Sequence, residues 1–229
     1  MTSLQKWGKS VRTTIPVMAG YLVLGAGFGI LLRTRSYGLG WALAMSVFIY
    51  AGSMQYVAID LLTGGASLLT TAVTTLLVNA RHLFYGISML ERYRAAGKYA
   101  PYLIFSLTDE TYSLVAARED LTGAECFRIS LLDQLYWVLG TALGSLAGAY
   151  LDFNTTGIDF SLTALFLTVF TEQWLETKDH APALIGLGVS IVCRLLFGAD
   201  SFLLPTMGGM LCCLLVLDAR RTKKGGESV

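Results

Sequence analysis

The chain has 229 residues, of which 54% are hydrophobic and only 14% charged, against about 25% charged in an ordinary soluble domain. Its mean hydropathy is +0.59, and a net charge of +1 leaves no basic footprint for nucleic acid. This balance excludes a soluble globular domain and predicts an all-α integral membrane protein seated in the lipid bilayer.

In chain order, the first 14 residues are polar and basic, with Lys6, Lys9 and Arg12 ahead of an apolar run that begins at Ile15. No A-x-A-like site follows the run, so it reads as a first span over 15–32 rather than a cleaved signal. Further candidate spans lie at 39–62, 67–90, 102–117, 131–150, 160–175, 181–197 and 201–217. Six to eight membrane segments in a single domain over 1–229 are expected. The fourth is short and interrupted by "SLTDET", and a Gly-Ala-Asp break separates the last two. These three read as tilted, half-length or re-entrant, which is tolerated only where protein or a water-filled cavity lines them.

Three polar constellations interrupt the apolar runs. In "YAGSMQYVAID" (50–60), Gly52 and Ser53 weaken the helix beside Met54, and Gln55 brings a full amide. Two readings stay open: a helix-packing seam with one interhelical hydrogen bond, or an unwound segment whose backbone and Gln55 bind a substrate's amino or carboxylate group. In "TTLLVNARHLFYGISML" (74–90), Asn79, Arg81 and His82 fall within four positions. A central arginine costs about 2.5–3.5 kcal/mol on insertion scales. On one helix Asn79, His82 and Gly86 share a face, while Arg81, Tyr85 and Ser88 share a neighbouring one. Arg81 is too far from the Glu91 end to snorkel to water easily. It needs a carboxylate, a carbonyl cluster or an aqueous cavity, either as a structural ion pair or as part of a substrate or proton path. In "FSLTDETYSL" (105–114), Asp109 and Glu110 point about 100° apart on a helix. One can pair with Arg81 while the other is wet or protonatable; the alternative is a solvated helix end.

Further along, Asp133 and Gln134 open the fifth candidate and read as interfacial, as do Glu172, Gln173 and Arg194. Cys126, Cys193, Cys212 and Cys213 lie in or beside apolar segments without metal-ligand spacing and read as small apolar packers. No metal site, cofactor or catalytic residue is expected. There is no G-x-x-x-x-G-K-[ST] run for ATP hydrolysis. An intramembrane enzyme using His82 and Asp109 as an acid–base pair lacks a nucleophile elbow or H-E-x-x-H motif.

The N-terminal Lys and Arg, with Arg220, Arg221, Lys223 and Lys224 in the tail, place both termini in the cytoplasm. The basic loop "ERYRAAGK" (91–98) conflicts with this, because counting continuous spans puts it on the opposite side. At an offset of 119, "LGAGFG" (24–29) overlies "LGSLAG" (143–148), and "RHLFYG" (81–86) resembles "RLLFG" (194–198). Either common residues coincide, or the chain is two related halves, 15–117 and 131–217, parallel or inverted according to whether 102–117 crosses.

The stretches "AGSMQYVAIDLLTGGAS" (51–67), "LLVNARHLFYGISM" (76–89) and "FSLTDETYSL" (105–114) resemble the AzlC-like branched-chain amino acid permease family. So does "LDQLYWVLGTALGSLAG" (132–148) followed by "DFSLTALFLTVF" (159–170). Where that family carries a small-small-Gln pattern, this chain has Ser53-Met54-Gln55. The resemblance implies export of valine, leucine, isoleucine or similar amino acids across the bacterial inner membrane, with a small AzlD-like membrane subunit as obligate partner. A zwitterion crossing hydrocarbon needs both charged ends satisfied. Arg81 and Gln55 are the candidates for its carboxylate, Asp109 or Glu110 for its ammonium, and Met54 and Phe84 for its aliphatic side chain. The candidate substrate-binding residues are therefore Gly52, Ser53, Met54, Gln55, Asn79, Arg81, His82, Tyr85, Asp109, Glu110 and Thr111. The alternative is a passive channel or an accessory subunit with no substrate site. Asp60, Glu172 and Arg194 have no mate in the sequence, which points to a second subunit.

Overall fold

The computed structural model describes residues 3–116, 118, 120–150 and 178–226, with positions 160, 163, 167, 170, 171, 174 and 175. Every regular element among them is a helix. Glu172 and Gln173 lie outside the described residues. The chain forms two compact units, residues 1–163 and 164–229, a division that falls elsewhere than between the candidate halves.

The first unit holds α1 (Ser3–Thr34), α2 (Leu39–Phe48), α3 (Gly52–Thr63), α4 (Leu68–Val78), α5 (Arg81–Ala95), α6 (Ala100–Phe105), α7 (Asp109–Ala116) and α8 (Gly123–Tyr150). Its spine is α1 against α8, running in the same direction. Lys9 lies 3.8 Å from Glu125 at one end, and Arg33 packs beside Gly148 at the other. Between them Gly25 and Gly29 interlock with Gly140 and Gly144. A Cβ on Gly29 would lie 2.3 Å from the Thr141 carbonyl oxygen, and one on Gly144 2.0 Å from that of Ala26. Small residues four apart on both helices let the backbones touch.

α8 begins at Gly123, well before residue 131. The Thr122 N–H donates to Glu125 Oε2 (3.0 Å) and the Glu125 N–H donates to Thr122 Oγ1 (3.3 Å), a reciprocal capping box that starts the helix early. Asp133 and Gln134, expected at an interface, are instead about three turns inside α8 and buried.

Each of the three candidates 39–62, 67–90 and 102–117 is two helices rather than one. The breaks fall at 49–51, 79–80 and 106–108, and local chemistry supports each. Tyr50 takes a left-handed φ of 43°, which ends α2. The Asn79 side chain donates back to the Thr75 carbonyl (3.0 Å) and Ser106 to that of Tyr102 (2.7 Å), offering the last turns of α4 and α6 a partner other than the ladder. Thr108 Oγ1 accepts from the Thr111 N–H (3.3 Å) and caps α7.

The breaks also set direction. α2 runs back along α8, with Ser46 on Thr141 and the Val47 carbonyl on Gln134. α3 then returns: Gly52 meets the Trp137 ring, and Tyr56 donates to the Leu24 carbonyl (2.7 Å). The α2–α3 pair thus enters and leaves at the end where α1 finishes. α4 comes inward from that end and α5 continues to the opposite one. There Arg92 donates to the Val115 and Arg118 carbonyls and Gly123 abuts Ala96. α6 enters from this second end, with Tyr99 and Tyr102 against Phe127, and α7 leaves by it, with Arg118 donating to Thr13 Oγ1 (3.0 Å). Residues 91–98 therefore share an end with Lys9 and Arg128. The counting that put this loop opposite the N-terminus fails because 39–62 turns back on itself.

Apolar side chains cover much of the first unit's exterior, and polar groups are buried within it beside apolar clusters. Leu68, Leu69, Leu76, Leu83 and Ile87 stand exposed, while Ser46, Gln55, Thr111, Asp133 and Thr141 are buried. In the second unit α9 (Ala181–Ser201) pairs with α10 (Leu203–Gly226). Gly198, at φ 73°, kinks α9 at the Gly-Ala-Asp sequence. Arg194 is not without company: its guanidinium lies 5.3 Å over the Phe202 ring. Cys126 is buried, whereas Cys212 and Cys213 are exposed on α10. Leu4–Thr34 and Ala181–Gly198 are long and apolar enough to cross a bilayer.

Candidate functional site

Three half-helices begin at one place. Arg81 is the first residue of α5, Asp109 the first of α7 and Ser53 the second of α3. Arg81 Nη2 donates to Ser53 Oγ (2.9 Å), and Nη1 lies 2.6 Å from Asp109 Oδ2. A cation opposes the dipole at a helix start, whereas the two carboxylates opening α7 suit theirs. Asp109 and Ser53 thus compensate a charge that α5 alone disfavours. The Arg81 Nε–H and Asp109 Oδ1 are buried without a partner in hydrogen-bonding geometry, a donor and an acceptor whose capacity is unused.

A cavity of about 670 Å³ touches all three breaks, through Tyr50 and Ala51, Asn79, and Leu107. Its volume falls within the range of small-molecule sites, about 300–1,000 Å³. Asn79, His82 and Gly86 line one wall, and Ile49, Leu83, Ile87, Leu90, Ile104 and Phe105 make much of the rest apolar. His82 Nδ1 sits 3.2 Å from the Asn79 carbonyl. On the neighbouring face Tyr85 stacks on Tyr112 (4.5 Å) and Ser88 donates to the Tyr112 hydroxyl. Tyr50 is buried, and its hydroxyl, close to that of Tyr21, lacks a partner in hydrogen-bonding geometry.

Of the candidate residues only Asn79 and His82 line this cavity; Gly52, Ser53, Arg81, Tyr85 and Asp109 do not, and the others are held elsewhere. Gln55 is fully buried: its carbonyl accepts from Trp137 Nε1 (2.9 Å), and its amide donates to Ser46 Oγ (3.1 Å), which donates to Thr141. Gln55→Leu would orphan the Trp137 N–H, at about 1–3 kcal/mol for a buried unsatisfied group. Thermal unfolding in detergent should show a lower Tm with substrate affinity retained. Normal stability with lost affinity would put Gln55 in the wall instead. Met54 is buried and Phe84 is 68% exposed, and neither lines the cavity. Glu110 accepts from the Tyr21 hydroxyl (2.7 Å), and Thr111 donates to Asp133 Oδ2 (3.0 Å). Tyr21, Tyr50, Asp133 and Trp137 were not singled out as site residues by sequence reasoning. For Asp133 the signal was there, a carboxylate within an apolar run.

This is the architecture of an integral membrane protein whose discontinuous helices meet at a polar centre. The family model described as AzlC protein matches residues 16–151, which span α1 to α8. The branched-chain amino acid transport protein AzlC of Bacillus subtilis is 46% identical over 209 residues, 89% of this chain and 82% of that one. An uncharacterized membrane protein of Haemophilus influenzae is 41% identical, over 92% of this chain and 87% of its own. The inner membrane protein YgaZ of Escherichia coli is 26% identical over 90% and 87%. The chain belongs to the AzlC family. No solved structure matches it.

Proposed function

We propose that the chain is the substrate-carrying subunit of a secondary transporter that exports branched-chain and similar aliphatic amino acids, working with a small AzlD-like membrane subunit. The observation that carries this reading is the meeting of three half-helix starts, bound through Arg81, beside an aliphatic-lined cavity. Half-helix N-termini favour a substrate carboxylate, and unwound carbonyls a cation. The carboxylate is placed at Arg81 and the starts of α3 and α7, the ammonium at Asp109 Oδ1, and the side chain among Ile49, Leu83 and Ile104. An apolar pocket separates homologues by only about 1–3 kcal/mol per methylene, so a broad substrate range is expected. The transport name of the Bacillus subtilis relative supports the substrate class.

The membrane reading follows from the same breaks. α1, α4–α5 and α8 cross, while α2–α3 and α6–α7 dip in from opposite faces and return. A crossing followed by a hairpin then occurs twice with opposite sense, over 3–63 and 68–116. The arrangement gathers Lys6, Lys9, Arg12, Arg92, Arg94 and Lys98 on one face, taken as cytoplasmic at the inner membrane because basic residues are retained there.

Single cysteines placed along 76–89 in a cysteine-free background test the site. Labelling by a water-soluble thiol reagent in proteoliposomes should peak at 79, 82 and 86, and added valine should suppress it. Valine counterflow should run in the same vesicles. Uniform protection at those positions would move the site elsewhere, and absence of counterflow would favour a channel.

A further inference from the structure

Beneath the cavity a continuous hydrogen-bonded row joins two carboxyl groups. Tyr21 donates to Glu110 Oε2 (2.7 Å) and lies 2.7 Å from Thr108 Oγ1. Thr108 donates to Thr111 Oγ1 (3.1 Å), and Thr111 donates to Asp133 Oδ2 (3.0 Å). Tyr21, Thr108, Thr111 and Asp133 are all buried, and Glu110 is half-buried.

Each hydroxyl brings one proton, and the row has one more contact than it has hydroxyls. With both carboxylates ionised, Tyr21 spends its proton on Glu110 and Thr108 on Thr111. The 2.7 Å contact between Tyr21 and Thr108 is then oxygen against oxygen. One added proton repairs it from either end. On Glu110 it donates to Tyr21, which turns to Thr108; on Asp133 it donates to Thr111, and every hydroxyl reverses toward Glu110. A fully buried Asp133 with Oδ1 unpartnered also disfavours two charges, because an uncompensated buried charge is expensive. The titratable groups facing the pair are Tyr21, Tyr50 and Tyr102, with the Arg81–Asp109 pair one residue before Glu110.

We propose that Glu110 and Asp133 share a single proton through Tyr21, Thr108 and Thr111, and that this proton is the coupling ion of the carrier. The proposal rests on the transport reading above. In the transfer an O–H bond at Glu110 breaks and one at Asp133 forms, while each hydroxyl gives one proton and takes one. Nothing is oxidised or reduced. Because Glu110 sits beside Asp109, a substrate ammonium arriving at Asp109 disfavours the proton on Glu110 and drives it along the row, which links the two passengers.

Two measurements on the full chain test this, made with its second subunit where one co-purifies. Infrared spectroscopy of the purified protein at neutral pH should show a protonated-carboxyl band that Glu110→Gln and Asp133→Asn each remove. Either amide can donate into the row, leaving the other carboxylate ionised and satisfied. A missing wild-type band, or one surviving both substitutions, overturns the proposal whether or not the protein transports. In proteoliposomes with an internal pH dye, wild type should move protons with valine. Asp133→Asn and Tyr21→Phe should lose pH-driven valine accumulation while keeping valine counterflow, since exchange needs no net proton movement. Wild-type counterflow without proton movement sinks the coupling and leaves the carrier reading standing. Absent wild-type counterflow sinks the carrier reading itself, and with it the proton's coupling role.

Discussion

Gly144→Leu is expected to leave no folded first unit. Its Cβ would sit 2.0 Å from the Ala26 carbonyl oxygen and 2.6 Å from the Ala26 Cα. Those are backbone atoms, so no rotamer change relieves the clash, and α1 must move away from α8. Overpacking a core that can shift costs about 1–3 kcal/mol; here the whole seam opens. Separation also strips the Tyr21–Trp137 contact and the Tyr56–Leu24 bond of their geometry. Losses of that kind approach the total stability of a domain, about 5–15 kcal/mol. The variant should fail to accumulate in membranes and give no single peak on size exclusion in detergent. Gly20→Leu on the same helix is the control, because nothing lies within 4 Å of its added Cβ. It should behave as wild type, or gain slightly from helix propensity. Normal accumulation of Gly144→Leu would mean that α1 and α8 do not touch along this seam.

What the sequence made legible depended on whether a signal was local. Composition alone predicted an all-helical membrane chain. Asn79, His82 and Gly86, expected on one face of a single helix, all line one cavity, although Asn79 sits in the break before α5 rather than on it. The need of Arg81 for a partner followed from the cost of burying it. Hydropathy, however, cannot see a break flanked by apolar residues on both sides. Ile49, Leu77 and Leu107 look alike in a helix and at its end. The turn at Tyr50 depends on a backbone torsion that no residue type announces, since tyrosine rarely adopts positive φ. Without that turn, 39–62 reads as a crossing and the basic loop at 91–98 falls on the wrong face. Asp133 was misplaced for a related reason: hydropathy begins the fifth span at 131, but the Thr122–Glu125 cap begins the helix at Gly123. Gln55 illustrates the remaining limit. Its amide chemistry was visible, whereas the Trp137 whose indole N–H donates to it lies 82 positions away.

Arg81→Ala is expected to abolish valine transport while leaving the protein folded. The side chains of the pair are 34% and 30% exposed, so the ion pair is neither deeply buried nor freely solvated. Breaking a fully buried pair costs about 3–5 kcal/mol, and an exposed pair contributes about 0–1 kcal/mol. Loss of Arg81 therefore costs the fold an intermediate amount, about 1–3 kcal/mol, mostly through the charge left on Asp109. On the proposed reading, transport loses the cation assigned to the substrate carboxylate. The two effects separate in a double-mutant cycle. Adding Asp109→Ala to Arg81→Ala removes the orphaned carboxylate, so thermal stability should recover toward wild type. Transport should not recover, because neither end of the zwitterion then has its partner. Arg81→Lys keeps the charge but cannot reach both Ser53 and Asp109 as a planar fork can, so its transport should fall between wild type and Arg81→Ala. Full transport by the Arg81→Ala/Asp109→Ala variant would reduce the pair to a brace between half-helices and remove it from the path of the substrate.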